Sequence, residues 1–280
     1  KKHRPLDNLL YFLILLFSVS IILMVSYFTI FILVKGLPAI NIAFLTTAPN
    51  PVKMTVGILP SIINTLYIIV CSLIVAVPLG VGGAIYINEY AKNKRVIRLI
   101  EFTTETLSGI PSILFGVFGY VFFCTILNLK VSLIAGSLTL SIMVLPLMMR
   151  TTQEALRAVP KSYREGALGI GATKWYMLKT ILLPSAAGGI LTGITLAIGR
   201  IISESAALLL VAGGSAMYLP QGNIFQQIMS SGSTLAVELF RYGYSRGDDK
   251  TAFGIGTVLL LLIILLNLVT GSITKRMEHK

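Results

Sequence analysis

Charge is scarce in this chain. Of its 280 residues only 12% are Asp, Glu, Lys or Arg, about half the share a soluble domain carries. Acid is scarcer than base, 11 residues against 23, so the net charge is +12. The two histidines, His3 and His279, sit in the tails, and no His-Glu-x-x-His segment offers a metal site. The two cysteines, Cys71 and Cys124, both fall inside apolar runs. They read as small apolar side chains rather than as a disulfide or a metal site. No Gly-x-x-x-x-Gly-Lys-Ser/Thr segment is present to cradle phosphates, and Gly169-Ile170-Gly171 is followed by Lys174 where a third glycine would be needed. With no catalytic constellation, the chain is expected to be neither an enzyme nor the holder of a cofactor or metal.

What the chain has in excess is long apolar runs. Hydrophobic residues make up 55%, and the mean hydropathy is +0.85. The runs are about 20 residues long, the length needed to cross a hydrocarbon core of about 30 Å. This predicts one all-α domain over residues 1–280, a polytopic membrane bundle with six spans at about 9–34, 58–87, 106–128, 131–149, 185–212 and 253–273. The first run, from Leu9 to Val34, is too long for the core of a signal peptide and lacks a small-residue cleavage site. Pro78 and Pro146 interrupt the second and fourth spans, and Gly109-Ile110-Pro111-Ser112 lies in the third. Each proline frees a carbonyl that neighbouring helices must satisfy.

Most of the Lys and Arg residues fall on one side of this arrangement. Lys1, Lys2 and Arg4 precede the first span; Lys92, Lys94, Arg95 and Arg98 follow the second. Arg150, Arg157, Lys161, Arg164, Lys174 and Lys179 follow the fourth, and Lys275, Arg276 and Lys280 end the chain. By the positive-inside rule both termini are cytoplasmic and the protein is a multi-pass component of the cell membrane. No basic stripe is interleaved with aromatics, which argues against nucleic-acid binding. The segments from Gly36 to Gly57 and from Gly213 to Thr251 then lie outside. In the second, Ile224, Ile228, Leu235 and Leu239 are spaced for an amphipathic helix resting on the membrane. Either segment is a surface cap or a receiver for an external protein.

The cytoplasmic stretch at about 150–184 carries local structure. Pro160 ends the preceding helix. Ser162 followed by Glu165 is a capping-box pattern that starts a short helix at Tyr163. Gly169 and Gly171 supply the turn, and Thr173 caps a return helix through Trp175 and Met177 to Pro184. This hairpin either rests at the interface on Trp175 and Tyr176 or is presented to a soluble partner.

The same residues carry a resemblance. Glu165-Gly166-Ala167, three residues, Gly171, nine residues, then Ile181-Leu182-Leu183-Pro184 resembles the EAA motif of ABC importer permeases. Gly166 stands where that family usually has an alanine, a change that weakens a short helix by about 1 kcal/mol. The resemblance implies a type I importer permease fold in which the hairpin docks on a separate ATP-hydrolysing subunit. Glu165, Gly166, Ala167 and Gly171 would form that contact, with Ile181, Leu183 and Pro184 bracing it. ATP and Mg would be bound by the partner ATPase, not by this chain.

Inside the fifth span, Arg200 and Glu204 are one helical turn apart. A mid-span Arg costs about 2.5–3.5 kcal/mol on insertion scales and must face the bundle interior or water. It is either half of a structural ion pair or the fork of an anion path. Arg200, three residues, Glu204, then Ser205-Ala206 and a Leu-rich run resembles the phosphate permeases of the PstA type. Ser108-Gly109-Ile110-Pro111-Ser112-Ile113, the hairpin, and the stretch from Leu219 to Leu239 are also similar to that branch. The resemblance implies a subunit of an ATP-driven importer of inorganic phosphate, with Arg200 and Glu204 on the substrate path. Its partners would be a second permease (PstC-like), an ATPase dimer (PstB-like) and an external phosphate-binding protein (PstS-like), all around membrane lipid. Another oxyanion, molybdate or sulfate, or a stand-alone secondary transporter are the alternatives; no clear internal repeat of the latter kind is visible.

Overall fold

The computed structural model describes residues 5–49, 56–214 and 223–278. Lys1, Lys2, His3, Arg4, Leu219, His279 and Lys280, used above, lie outside the described residues. Within them the chain is built of helices and connections, with no strand. The helices are α1 (Pro5–Gly36), α2 (Ile42–Thr46), α3 (Leu59–Ile85), α4 (Lys94–Ser108), α5 (Ser112–Gly119) and α6 (Leu133–Ala158). There follow α7 (Lys161–Gly169), α8 (Lys174–Met177), α9 (Leu183–Ser203), α10 (Ala206–Val211), α11 (Ile224–Ile228), α12 (Leu235–Phe240) and α13 (Asp249–Glu278). Five helical stretches are long and apolar enough to cross a membrane, or six if one bent pair counts as a span.

That bent pair corrects the expected third span. Instead of one helix over about 106–128, α4 and α5 meet at 103°. Pro111 has no N–H to donate, and it disfavours helical geometry at Ile110. Gly109 adds the freedom to turn. The α4 sequence is polar on one side and has no buried residue, so its basic start is helix rather than loop. The fourth span also runs further than about 149: α6 continues to Ala158 before Pro160 stops it.

Lipid offers helices little hydrophobic reason to associate, so close approach and shared hydrogen bonds hold the bundle. Small residues permit the first. A Cβ on Gly80 would stand 2.6 Å from the Met148 side chain, and one on Gly116 would stand 2.8 Å from the Ala207 backbone. Hydroxyls supply the second. Ser72 donates to the Ser137 carbonyl at 3.1 Å, and Ser141 donates back to the Ser72 carbonyl at 3.1 Å, so α3 and α6 are cross-linked at mid-length. A core of Ile68, Met143, Val144, Met148, Ile201, Leu208 and neighbours fills the space between.

The packing fixes levels along the bundle. Gly193 faces Thr151 and Gly189 faces Ala155, so α9 runs antiparallel to α6 and Arg200 comes level with Val144. Val144 lies between Ser141, bonded to Ser72, and Met148, packed on Gly80. Arg200 is therefore near the middle of the bundle. Helix α1 joins the bundle where its end meets the start of α13: Thr257 donates to the Ile32 carbonyl at 3.1 Å, and Gly36 abuts Phe253. The antiparallel pairing sends the start of α1 and the end of α13 to the same end as the α7–α8 hairpin.

The segment read as one amphipathic surface helix is a second correction. It forms two short helices, and Leu235 and Val237 of α12 are fully buried. Polar residues of α3 draw it in: Thr65 accepts from the Leu235 N–H at 3.0 Å and Asn64 donates to the Ser233 carbonyl at 3.1 Å. Polar groups buried in a membrane bundle need partners, and these residues are each other's.

Gly116→Ala should force α5 away from α10 and lower stability by about 1–3 kcal/mol. Gly82→Ala, whose Cβ would meet nothing within 4 Å, should be neutral. Melting of the purified protein in detergent distinguishes the two; equal midpoints would contradict the close-packing account.

Candidate functional site

Helix α9 ends at Ser203. Glu204 has φ −79 and ψ 120, so it leaves the helix rather than continuing it. Its Oε1 accepts from the Ala207 N–H at 3.0 Å and thereby caps the start of α10. The ion pair with Arg200, one of the two readings its spacing allowed, is not formed, because Glu204 is no longer on the helix. Among the described residues Arg200 has no ion pair and no side-chain hydrogen bond. It is exposed and lines a cleft of about 190 Å3 with Thr104, Glu105, Ser108, Met143, Pro146, Leu147 and Arg150.

A second cleft of about 170 Å3 shares Thr104, Glu105 and Arg150 and continues past Glu101, Gln153 and Glu154 to Arg157. Together they run from mid-bundle toward the hairpin end between α4 and α6, with Arg200 of α9 at one end and charged residues spaced along them. Arg150 pairs loosely with Glu154 at 3.6 Å and Arg157 with Glu101 at 3.4 Å, all four well exposed. Such pairs are weak, so these cations remain available to an anion. The sequence reading counted Arg150 and Arg157 only as basic loop residues and passed over Glu101, Glu105 and Glu154. The spacing 150, 154, 157 marks one face of a helix. It was missed because α6 was thought to stop at about 149.

At the hairpin end, α7 begins at Lys161 after Pro160, without a side-chain cap. The expected Ser162–Glu165 capping box is not formed, because the helix begins at Lys161 with Pro160 at the capping position, ahead of Ser162. The turn is as expected at Gly171, whose φ is +82. Thr173 accepts from the Tyr176 N–H at 3.3 Å and caps α8. A widened turn, Leu178–Leu182, then carries the chain into α9, whose first turn contains Pro184. Glu165, Gly166 and Gly171 are exposed, together with Ile170 and Trp175 at 86% and 64%. Ala167 is not on this surface. It is buried with Leu156, Val159, Met177, Leu178, Leu182 and Ala186 in a cluster where the hairpin packs on the ends of α6 and α9, and Ile181 and Leu183 pack against it. A Cβ on Gly166 would meet nothing within 4 Å, so the departure from alanine there costs helix propensity and no contact.

The opposite end holds a buried ion pair. Arg241 contacts Glu238 at 2.7 Å, and Ser233 donates a short hydrogen bond to the same carboxylate. Burial pushes the Tyr242 phenol up, an effect opposed by the Arg246 charge, whose guanidinium sits 4.5 Å over the ring. Among the described residues no cluster of His, Cys, Asp or Glu suits a metal ion.

Comparison with known proteins gives a consistent picture. The family model described as binding-protein-dependent transport system inner membrane component matches residues 76–280. The chain is 34% identical over 248 residues to a probable ABC transporter permease protein, YqgI, of Bacillus subtilis, covering 85% of this chain and 84% of the relative. It is 32% identical over 234 residues to the phosphate transport system permease protein PstA of Xylella fastidiosa, covering 84% and 80%. Among solved structures, a bacterial ABC transporter that imports the polysaccharide alginate aligns with a TM-score of 0.69, 16% identity and 96% coverage of both chains. The MetNI methionine ABC transporter aligns with a TM-score of 0.61 and 19% identity over 79% of this chain and 94% of that one.

Because Arg200 is unpaired, Arg200→Gln should leave the stability, read by thermal melting, within about 0.5 kcal/mol of the parent. Glu204→Ala, which uncaps α10, should cost about 1 kcal/mol, and Glu204→Gln less, since its amide oxygen still accepts from Ala207. A large loss in Arg200→Gln would restore the ion-pair reading.

Proposed function

Because this chain belongs to the family of binding-protein-dependent transport system inner membrane components, we propose that it is the permease subunit of an ABC importer that carries inorganic phosphate. The permease fold and membrane location follow from the family and the helices; the substrate is inferred from the cleft. One observation carries it: an unpaired guanidinium at mid-bundle opens into a cleft that also holds Arg150 and Glu105. Guanidinium forks suit tetrahedral oxyanions. A carboxylate among them suits an anion that still bears a proton to donate, which hydrogen phosphate does at neutral pH and sulfate does not. The phosphate name of several relatives at about this identity supports the same substrate.

In this reading Arg200 receives the anion at mid-bundle and Arg150 and Arg157 take it toward the hairpin end. Glu204 shapes the path by capping α10 rather than by pairing. The hairpin end is cytoplasmic, since Lys92, Lys94, Arg95, Arg98 and the hairpin cations gather there. The start of α1 and the end of α13 lie toward the same end. A second, PstC-like permease completes the pathway against the open side of the cleft. An ATPase dimer (PstB-like), which binds the ATP and Mg, docks on Glu165, Gly171 and the exposed residues between them. An external phosphate-binding protein (PstS-like) delivers the anion at the opposite end. ATP binding draws the hairpins together and shifts the bundle toward its outward-open population; hydrolysis returns it.

Uptake into vesicles holding the full complex tests the substrate. Labelled phosphate should accumulate only with ATP and be displaced by unlabelled phosphate but not by sulfate or molybdate. Arg200→Gln and Arg150→Gln should each reduce the rate by at least about tenfold with assembly preserved. Accumulation of sulfate or molybdate in place of phosphate would overturn the assignment.

A further inference from the structure

Two ion pairs are mostly buried among the described residues, and one of them ties the hairpin to the bundle. Arg164 of α7 meets Glu89 with side-chain exposures of 21% and 10%. Glu89 lies in the widened turn Tyr86–Tyr90 that ends α3. The guanidinium donates to Glu89 Oε1 from Nε at 3.2 Å and from a terminal nitrogen at 3.1 Å. It donates to the Leu156 carbonyl at 2.7 Å and to the Val159 carbonyl at 2.9 Å. Those two carbonyls close α6, where no helical N–H remains to satisfy them. One side chain thus joins three elements: the end of α3, the end of α6 and the first arm of the hairpin. The second arm is fastened to the same turn, since Lys174 of α8 donates to the Glu89 carbonyl at 3.3 Å and lies over the Tyr90 ring.

Resting on the permease reading above, we propose that Arg164, held by Glu89, is the positioning residue that makes α3 and α6 follow the hairpin when a nucleotide-driven partner moves it. Three observations support this. The hairpin packs in one cluster with the end of α6 and the start of α9, distinct from the mid-bundle core, so the hairpin and those two helix ends move as a body, and Arg164 adds the polar tie to the end of α3. The other ion pairs at this end are exposed and too weak to carry a displacement. Arg157 of α6, which lines the cleft, reaches Asn88 beside Glu89 at 3.3 Å, so the α6 wall of the cleft adjoins the same turn of α3.

The test uses the full complex with its ATPase subunits in vesicles. A thiol is introduced in the cleft by Gln153→Cys, with Cys71→Ser and Cys124→Ala to remove the native thiols. Its labelling by a maleimide is followed with and without a non-hydrolysable ATP analogue. The parent should show a nucleotide-dependent change in labelling rate. Adding Arg164→Gln should shrink that change by about tenfold while the ATPase still co-purifies and still hydrolyses ATP. Arg164→Lys should recover part of it, because an ammonium keeps the charge but not the fork. Glu89→Ala leaves the two α6 carbonyl bonds of Arg164 intact, and it carries the same test if Arg164→Gln does not assemble. The double variant should be no worse than the more affected single one. An unchanged nucleotide response in Arg164→Gln overturns the proposal. So does a parallel loss of response and hydrolysis in both single variants, which would mean a fold-holding role only, and so does a parent with no response at all. The labelling needs no transported solute, so failure of the phosphate assignment, seen as ATP hydrolysis without phosphate uptake, is read separately.

Discussion

A guanidinium level with the middle of an apolar bundle is the constraint around which the rest is arranged. Hydrocarbon will not hold it at an acceptable cost, and the one carboxylate near it in sequence is occupied in capping α10. Water must therefore reach Arg200, and the architecture admits it by breaking helices on both sides. The Gly109–Pro111 bend swings α4 by 103° away from α5, so that α4 walls the cleft instead of filling it. The break at Glu204 and Ser205 stops α9 one turn beyond Arg200 and redirects the chain into α10. Breaks of this kind are tolerated in membranes only where the freed backbone lines protein or water.

The opposite faces of the same helices show the complementary solution. Where α5 meets α10 and α6, Gly116, Gly119 and Gly136 bring backbones together at distances a methyl group would violate. Where α3 meets α6, serine hydroxyls bond across the contact. The bundle thus has a dry, close-packed side and a wet side. The same helix, α6, contributes Ser141 and Val144 to the first and Leu147 and Arg150 to the second. The opening stays fixed in place because the dry side gives the helices no room to slide into it.

Much of this was legible in the residues. Apolar run lengths identified the spanning helices, and Gly171 and Thr173 marked the hairpin turn because each supplies a specific local device. The two-sided spacing from Glu165 to Pro184 identified the family. What was not legible depended on tertiary context. Arg200 and Glu204 are spaced for a helical pair, and only the competing bond to the Ala207 N–H shows that the helix ends between them. Leu235 and Leu239 fit an interfacial helix by period, but Asn64 and Thr65, about 170 residues earlier in the chain, draw the segment inside. The charged stripe at 150, 154 and 157 was hidden by the assumption that a span ends where charge begins. In a type I permease fold a helix can leave the membrane and continue as a wall of the exit.

That continuation gives the proposed coupling a physical path. Helix α6 has 26 residues and is therefore about 39 Å long, and it passes through both hydrophobic cores. Leu156 lies in the hairpin core, and Met143, Val144 and Met148 lie in the bundle core. Arg150 and Arg157 face the cleft between them. A helix transmits an axial or tilting displacement along its length unless its hydrogen-bond ladder is interrupted. From Leu156 to Arg150 there is no interruption; the first is Pro146, which lines the cleft beside Arg200. On the coupling proposed above, motion imposed at the hairpin would travel along α6 to Arg150 and meet its first point of yield at Pro146, beside Arg200. The segment between the two is the part of the wall that can change the width of the route without disturbing the close-packed contacts of Ser141 with Ser72.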